Sequence, residues 1–93
     1  MYSKFGQFIH GKWQPSEKNE TYDVINPATE DVIGKASKAT KVDVKKALKS
    51  AEEGFKVWKK TPPWQRSYKI RKIADLMRER KKELARWLAL EVG

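Results

Sequence analysis

A run of basic residues in the second half of the chain is the densest group that could carry chemistry, and aromatic residues lie between the bases. Lys and Arg neutralise phosphates, so this pattern is typical of a nucleic-acid surface. Acidic residues interrupt it, however, and Asp75 follows Arg71 at the spacing of a helical ion pair. A solvated, ion-paired helix face is therefore the favoured interpretation. The bases are Arg66, Lys69, Arg71, Lys72, Arg78, Arg80, Lys81, Lys82 and Arg86, and the aromatic residues are Trp64, Tyr68 and Trp87.

Acid–base and nucleophilic chemistry has little support. His10 is the single histidine, and its place beside Gly11 favours a turn residue over a ligand or general base. The 12 Asp and Glu residues are scattered along polar stretches, with no pair in an apolar setting. The absence of cysteine excludes a thiol nucleophile, a disulfide and cysteine-ligated zinc within these residues. Gly-rich phosphate loops, HExxH and GxSxG motifs are also absent.

Length and composition indicate one small domain. The 93 residues are 39% hydrophobic and 35% charged, with a net charge of +9. This charge could attract phosphates or anionic lipid, or it could be balanced by an acidic remainder of a larger surface. The first ten residues lack the apolar run of a signal peptide, and no stretch is long enough to span a membrane. We expect a soluble protein, with the cytoplasm as the default location.

Two short β-units are predicted in the first 37 residues. Strand candidates flank His10 and Gly11, which predicts a hairpin at 8–13 with a two-residue turn. A second unit is predicted at 21–37, because Asn26 and Pro27 supply turn chemistry between two β-prone segments. The strands together therefore cover about residues 8–37.

Helical periodicity begins after Thr40 and predicts helices at about 41–59 and 64–92. Thr40 is a good N-cap, with Asp43 at the third helical position. Gly54 costs helix stability, so we expect another backbone to pack closely there. Charged residues interrupt the apolar stripe of the second helix, which favours a break near Lys82. The apolar stripes of the helices can bury each other, with the strands at one end.

The order and spacing of several segments resemble the N-terminal part of the NAD(P)-dependent aldehyde dehydrogenase superfamily. They include Phe-Ile-His-Gly-Lys-Trp at 8–13, Val-Ile-Asn-Pro-Ala-Thr at 24–29 and Val-Ile-Gly at 32–34. The resemblance continues through 43–44, 47, 55–58, 61–63, 66, 73–80, 83–85 and 90–93. Within the family, the sequence is most similar in character to the succinate-semialdehyde dehydrogenases.

The resemblance implies an α/β family fold, of which residues 1–93 would be an incomplete α+β fragment. This fragment would be the N-terminal part of the coenzyme-binding domain and would contain short strands or a hairpin followed by two or three amphipathic helices. Full-length members oxidise aldehydes to carboxylic acids with NAD or NADP, through a cysteine nucleophile and a glutamate base. Those residues and the dinucleotide-binding strands would lie beyond Gly93. We therefore expect a structural segment that binds no coenzyme alone and is inert without the remainder of a homo-oligomeric dehydrogenase, dimer or tetramer.

One site can be transferred from the family to this sequence. Many members bind a monovalent cation through backbone carbonyls just before the Asn-Pro-Ala turn, which here are those of Val24 and Ile25. Carbonyl oxygens suit a hard cation such as sodium or potassium. The alternative function is a small basic module that binds a protein partner, through the apolar residues of 84–90, or nucleic acid.

Overall fold

The computed structural model describes residues 5–93, so the start of the segment examined for a signal peptide, residues 1–4, lies outside it. Two antiparallel strand pairs precede three helices, which confirms the predicted α+β arrangement. The elements are β1 (Gln7–Ile9), β2 (Lys12–Gln14), β3 (Thr21–Ile25), β4 (Val32–Ser37), α1 (Lys41–Trp58), α2 (Pro63–Glu79) and α3 (Lys81–Val92).

The predicted first hairpin is confirmed. Ile9 pairs with Lys12, which leaves His10 and Gly11 as a two-residue turn between β1 and β2. Both turn residues have positive φ, 54° and 75° respectively. This is the type I′ geometry whose twist matches that of the flanking strands.

The second strand pair is confirmed as well. After β3, the Asn26 side chain accepts a hydrogen bond from the Ala28 amide at 2.9 Å, an Asx turn. Val24 pairs with Gly34 and Ile25 with Val32, so Ile33 has no register partner and β4 carries a bulge.

The helix boundaries follow local signals. Thr40 is the N-cap of α1, as predicted, and it forms a capping box with Asp43. Pro63 occupies the first turn of α2, where its missing N–H costs nothing. The predicted break lies at Arg80, whose φ of −96° and ψ of 15° depart from the helix, and α3 begins one residue later. The second helical stretch is therefore two helices.

The predicted burial of the helix stripes against each other is wrong. No apolar side chain among residues 5–93 is buried, and Leu48 of α1 and Ile73 of α2 are 65% and 57% exposed. The radius of gyration is 16.5 Å, against about 12 Å for a compact domain of this length. An amphipathic stripe indicates that a face will be buried but not which surface covers it.

The close neighbour predicted for Gly54 is also missing from the described chain. A Cβ placed at Gly54 would have no heavy atom within 4 Å. The glycine therefore faces open space, and the packing that would offset its cost to the helix is not supplied by residues 5–93. In the same described range, no helix is long and apolar enough to cross a membrane.

Candidate functional site

Within residues 5–93, the buried residues are both polar: Ser16 and Asp43, each 3% exposed. The Asp43 carboxylate joins two separate segments. It accepts from the Glu17 amide at 3.1 Å (Oδ1) and 3.2 Å (Oδ2), and from the Thr40 amide at 2.8 Å. Sequence reasoning placed Thr40 at the N-cap and Asp43 at the third helical position but missed the bond from Glu17, which lies 26 positions away.

The segment that carries the Glu17 amide is itself tightly turned. The Ser16 hydroxyl accepts from the Glu20 amide at 3.1 Å and donates to the Glu20 carbonyl at 3.3 Å. The Ser16 carbonyl accepts from the Asn19 amide at 2.9 Å, and Asn19 has a φ of 55°. We call residues 15–20 the polar turn. Its internal bonds present the Glu17 N–H to Asp43.

The hydrogen bonds to Asp43 lower the pKa of its carboxyl. The largest cause is the Thr40 amide; burial acts in the opposite direction, and the Glu17 amide and the side chains of Gln7 and Thr40 lower the pKa further. N–H donors favour the charged carboxylate over the neutral acid. Asp43 is therefore a permanently ionised acceptor at neutral pH, suited to holding structure and not to general acid–base catalysis.

His10 lies in the turn, as predicted, and its ring approaches α1. Its Nδ1 lies 3.3 Å from the Ser50 hydroxyl oxygen. Beside this contact, an open groove of about 390 Å³ separates the first hairpin from α1. Its lining residues are Ile9, His10, Lys12, Gln14, Lys46, Lys49, Ser50 and Glu53. Three lysines against one glutamate make the groove positive.

The proposed cation ligands Val24 and Ile25 lie at the bulge between β3 and β4. The bulge leaves Ile33 of β4 unpaired in the ladder, whereas Val24 and Ile25 keep their register partners. Within residues 5–93, no group of three or more His, Cys, Asp or Glu side chains could hold a metal ion. Any ligands beyond the two carbonyls would have to be other backbone or side-chain oxygens.

The basic run does not form one continuous face. Lys69 and Arg71 are separated by about 200° around α2, since successive helical residues advance by about 100°. Arg78 pairs with Asp75 at 3.0 Å, as expected for an ion-paired helix surface. Arg66 is half-buried, and its Nε is buried without a hydrogen-bond partner in residues 5–93. The geometry therefore gives limited support to a phosphate-binding stripe.

The largest feature without a partner in the described chain is apolar. The total accessible surface is 8079 Å², against about 5,500 Å² for a compact protein of this mass. A hollow of about 260 Å³ lies where α2 meets α3, lined by Ile73, Leu76, Met77, Arg80 and Leu84. The exposed apolar side chains of the three helices are Val42, Val44, Leu48, Phe55, Val57, Trp58, Trp64, Tyr68, Ile70, Ile73, Leu76, Met77, Leu84, Leu88 and Val92.

Comparison with curated proteins shows that this chain is similar to part of a longer protein. Over 86 residues the chain is 41% identical to succinate-semialdehyde dehydrogenase [NADP(+)] 2 of Schizosaccharomyces pombe. The match covers 92% of this chain but 17% of the relative. The chain thus spans about one sixth of the length of this relative.

Solved structures also match this chain over a small part of their own length. The fold matches a point mutant of betaine aldehyde dehydrogenase from Staphylococcus aureus in complex with NAD⁺, with a TM-score of 0.87. The two sequences are 36% identical, and the match covers 91% of this chain and 18% of the other. It also matches a 3,6-anhydro-L-galactose dehydrogenase, with a TM-score of 0.91 and 31% identity over 96% of this chain and 19% of the other. The sequence model of the aldehyde dehydrogenase family matches residues 13–93. This chain belongs to the aldehyde dehydrogenase family.

Proposed function

We propose that residues 1–93 are the N-terminal structural segment of the coenzyme-binding domain of an NAD(P)-dependent aldehyde dehydrogenase. The observation that carries the proposal is the uncovered apolar surface of α1, α2 and α3, in a chain that aligns with 17% of its relative from S. pombe. Exposed apolar area of this extent marks an interface. The remainder of a dehydrogenase chain is the partner that would cover it.

The residues present fit a supporting role. Oxidation of an aldehyde to an acid requires a nucleophile, a base and a hydride acceptor. These residues contain no cysteine, and the buried carboxylate of Asp43 is engaged by backbone amides. The chemistry, the NAD or NADP site and the homo-oligomeric contacts would therefore be supplied by other residues of the complete enzyme, for which a cytoplasmic location remains our expectation.

The proposal includes a monovalent-cation site at the carbonyls of Val24 and Ile25. Its support is the position of these residues at the end of β3, directly before the Asx turn, and the suitability of carbonyl oxygens for a hard cation. Such an ion would hold the end of β3 to other oxygen ligands. The test is the melting temperature of a complete enzyme that contains this segment, in potassium or sodium chloride and in choline chloride at equal ionic strength. Equal melting temperatures in all three salts would contradict the site.

A chimera tests the structural role. The N-terminal residues of the S. pombe relative that align with this chain are replaced by the present sequence, and reduction of NADP⁺ with succinate semialdehyde is measured. We expect the chimera to be soluble and active, and the 93-residue chain alone to give no aldehyde-dependent reduction of NAD⁺ or NADP⁺. Turnover by the chain alone, or an insoluble and inactive chimera, would contradict the proposal.

Two neighbouring substitutions in α2 provide a matched control. Ile73→Asp puts a charge on the apolar face, so the chimera that carries it should be neither soluble nor active. Lys72→Asp changes an exposed position one residue away and should leave activity in place. Equal behaviour of the two variants would show that the Ile73 face is not covered in the assembled enzyme.

The alternative, a basic module that binds nucleic acid, rests on the net charge of +9. A gel-shift titration of the 93-residue chain against duplex and single-stranded DNA at two salt concentrations distinguishes the two functions. Phosphate binding weakens steeply as salt rises because counterions are released on association. We expect weak binding without steep salt dependence; tight, salt-sensitive binding would favour the alternative.

A further inference from the structure

The first hairpin (β1, β2) and the polar turn after it meet α1 across a long separation in sequence. Two of the side-chain contacts that join these regions differ in strength. One is His10 to Ser50, an exposed contact of 3.3 Å whose donor and acceptor depend on the ring tautomer. The other is the buried carboxylate of Asp43, which bonds the polar turn directly after β2. The second contact is the stronger because it is charge-assisted and shielded from water.

We propose that Asp43 is a clasp: its carboxylate fastens the polar turn, and through it the first hairpin, to the N-terminus of α1. Each carboxylate oxygen takes part in bonds to the Glu17 amide, and Oδ2 also accepts from the Thr40 amide. Removal of the carboxylate leaves these amides without their acceptor. A buried donor without a partner is unfavourable, so the polar turn moves away to reach water.

Opening of the clasp should leave α1 intact. The Asp43 amide donates to the Thr40 hydroxyl at 3.3 Å, and this half of the capping box does not involve the carboxylate. The carboxylate bonds the amides of Glu17 and Thr40 and none beyond the first turn of α1, so its removal should not change the helical population of the later turns. The clasp therefore controls where the hairpin lies, and not whether the helix forms.

The charged group that faces Asp43 from the polar turn is Glu17. Its Oε2 lies 2.8 Å from the Thr40 hydroxyl oxygen, and Asp43 Oδ2 lies 3.1 Å from the same atom. From β1 the facing group is the neutral amide of Gln7. Two carboxylates therefore share one hydroxyl donor, and their like charges repel. The negative charge of Glu17 therefore destabilises the ionised Asp43 carboxylate on which the clasp depends.

The direction of the pH dependence follows from the lowered pKa of Asp43. The ionised form is favoured in the folded chain, so the stabilisation is complete above the ordinary aspartate value of 3.8. It is lost as pH falls through the lower folded value. The clasp is at full strength at neutral pH and weakens in acid below that ordinary value.

NMR titration of the 93-residue chain tests the clasp at atomic level. The chemical shift of the Asp43 carboxyl carbon is followed with the amide protons of Glu17 and Thr40, and the Cα shifts of 45–57 report on α1. We expect both amides to titrate with the Asp43 midpoint. In Asp43→Ala, which removes both acceptor oxygens, this titration should be lost and the Glu17 amide should move to its random-coil position, while the Cα shifts of 45–57 keep the helical population of the wild-type chain.

Two further variants complete the test. Asp75→Asn removes an exposed carboxylate from α2 and should leave both amides unchanged. Glu17→Gln removes the repelling charge and should move the Asp43 midpoint to lower pH. The proposal is overturned if the Glu17 amide shift does not change with the Asp43 titration, if Asp43→Ala melts α1 together with the turn, or if the wild-type chain shows neither helical shifts nor co-titration.

Discussion

The strand region before α1 and the helical pair α2–α3 are stabilised in opposite ways. The strand region is joined by specific polar bonds, including the type I′ turn, the Asx turn, the polar turn and the Asp43 clasp. The helical pair contains one described ion pair, Asp75 with Arg78, and a largely uncovered apolar face. The bonds within the Asx turn and the polar turn join residues two to four positions apart, and the Asp43 bond spans 26 positions. All of these polar groups find partners within residues 5–93, whereas the apolar faces require a surface that these residues do not supply.

This difference has an energetic consequence. Ordering each residue costs about 1–2 kcal/mol of backbone entropy, and apolar burial is the main term that offsets it. Without a buried apolar side chain in residues 5–93, the polar bonds can define local geometry but cannot make the whole chain cooperative. The strand region should therefore be locally ordered, and the helices should depend on their partner for stability.

The largest expected effect is on cooperativity. We expect thermal unfolding of the 93-residue chain, followed by far-ultraviolet circular dichroism, to be broad, because isolated helices of 12 to 18 residues are marginal in water. The chimera should unfold in one steep transition. A sharp transition of the short chain, coincident by circular dichroism and tryptophan fluorescence, would show that it has a sufficient core.

A second prediction concerns the apolar face of α2. Ile73→Ala should lower the unfolding free energy of the chimera by about 2–5 kcal/mol, the cost of emptying a packed site. In the 93-residue chain, where Ile73 is exposed, helicity should hardly change. Urea unfolding of the chimera and circular dichroism of the chain provide the two measurements. Lys72→Ala is the control and should change either protein by less than about 0.5 kcal/mol.

Local features of this fold could be predicted from sequence because short-range chemistry determines them. Gly11 marked the first turn, Thr40 with Asp43 marked the start of α1, and the charges after Glu79 marked the break at Arg80. The bond from Glu17 to Asp43 was not predictable in this way. It depends on the folded path of 26 residues, and an aspartate in a capping box carries no sign of a second donor.

The failed prediction of helix packing has a similar cause. The stripes of α1 and α2 were identified correctly as apolar, but periodicity contains no information about the surface that covers them. The open space beside Gly54 fits the same interpretation. Packing of the two stripes on each other was the arrangement possible within the 93 residues, whereas the relatives are several times longer and offer further surfaces.

A third prediction tests the hairpin turn in the strand region. Gly11→Ala should destabilise the chimera by about 1–2 kcal/mol, the cost of the left-handed conformation for a residue with a Cβ. Since a Cβ at Gly11 would meet no atom within 4 Å, backbone conformation alone accounts for the loss. His10→Asn is the control and should be neutral or slightly stabilising, because Asn tolerates positive φ. Equal losses in urea unfolding would contradict this account.

The smallest expected effect is the coupling energy of an exposed ion pair, and each region contains one that can be compared. Lys35 and Asp23 are directly opposed across β3 and β4 at 2.7 Å, and both are exposed. A double-mutant cycle with Asp23→Asn and Lys35→Gln in the chimera should give a coupling of about 0.2–1 kcal/mol that falls as salt is added. The helical pair of Asp75 and Arg78 should give about 0.2–0.5 kcal/mol. A larger coupling energy for Asp75 and Arg78 than for Asp23 and Lys35 would mean that polar contacts stabilise α2 as they stabilise the strand region. That result would contradict the difference between a polar strand region and apolar helices.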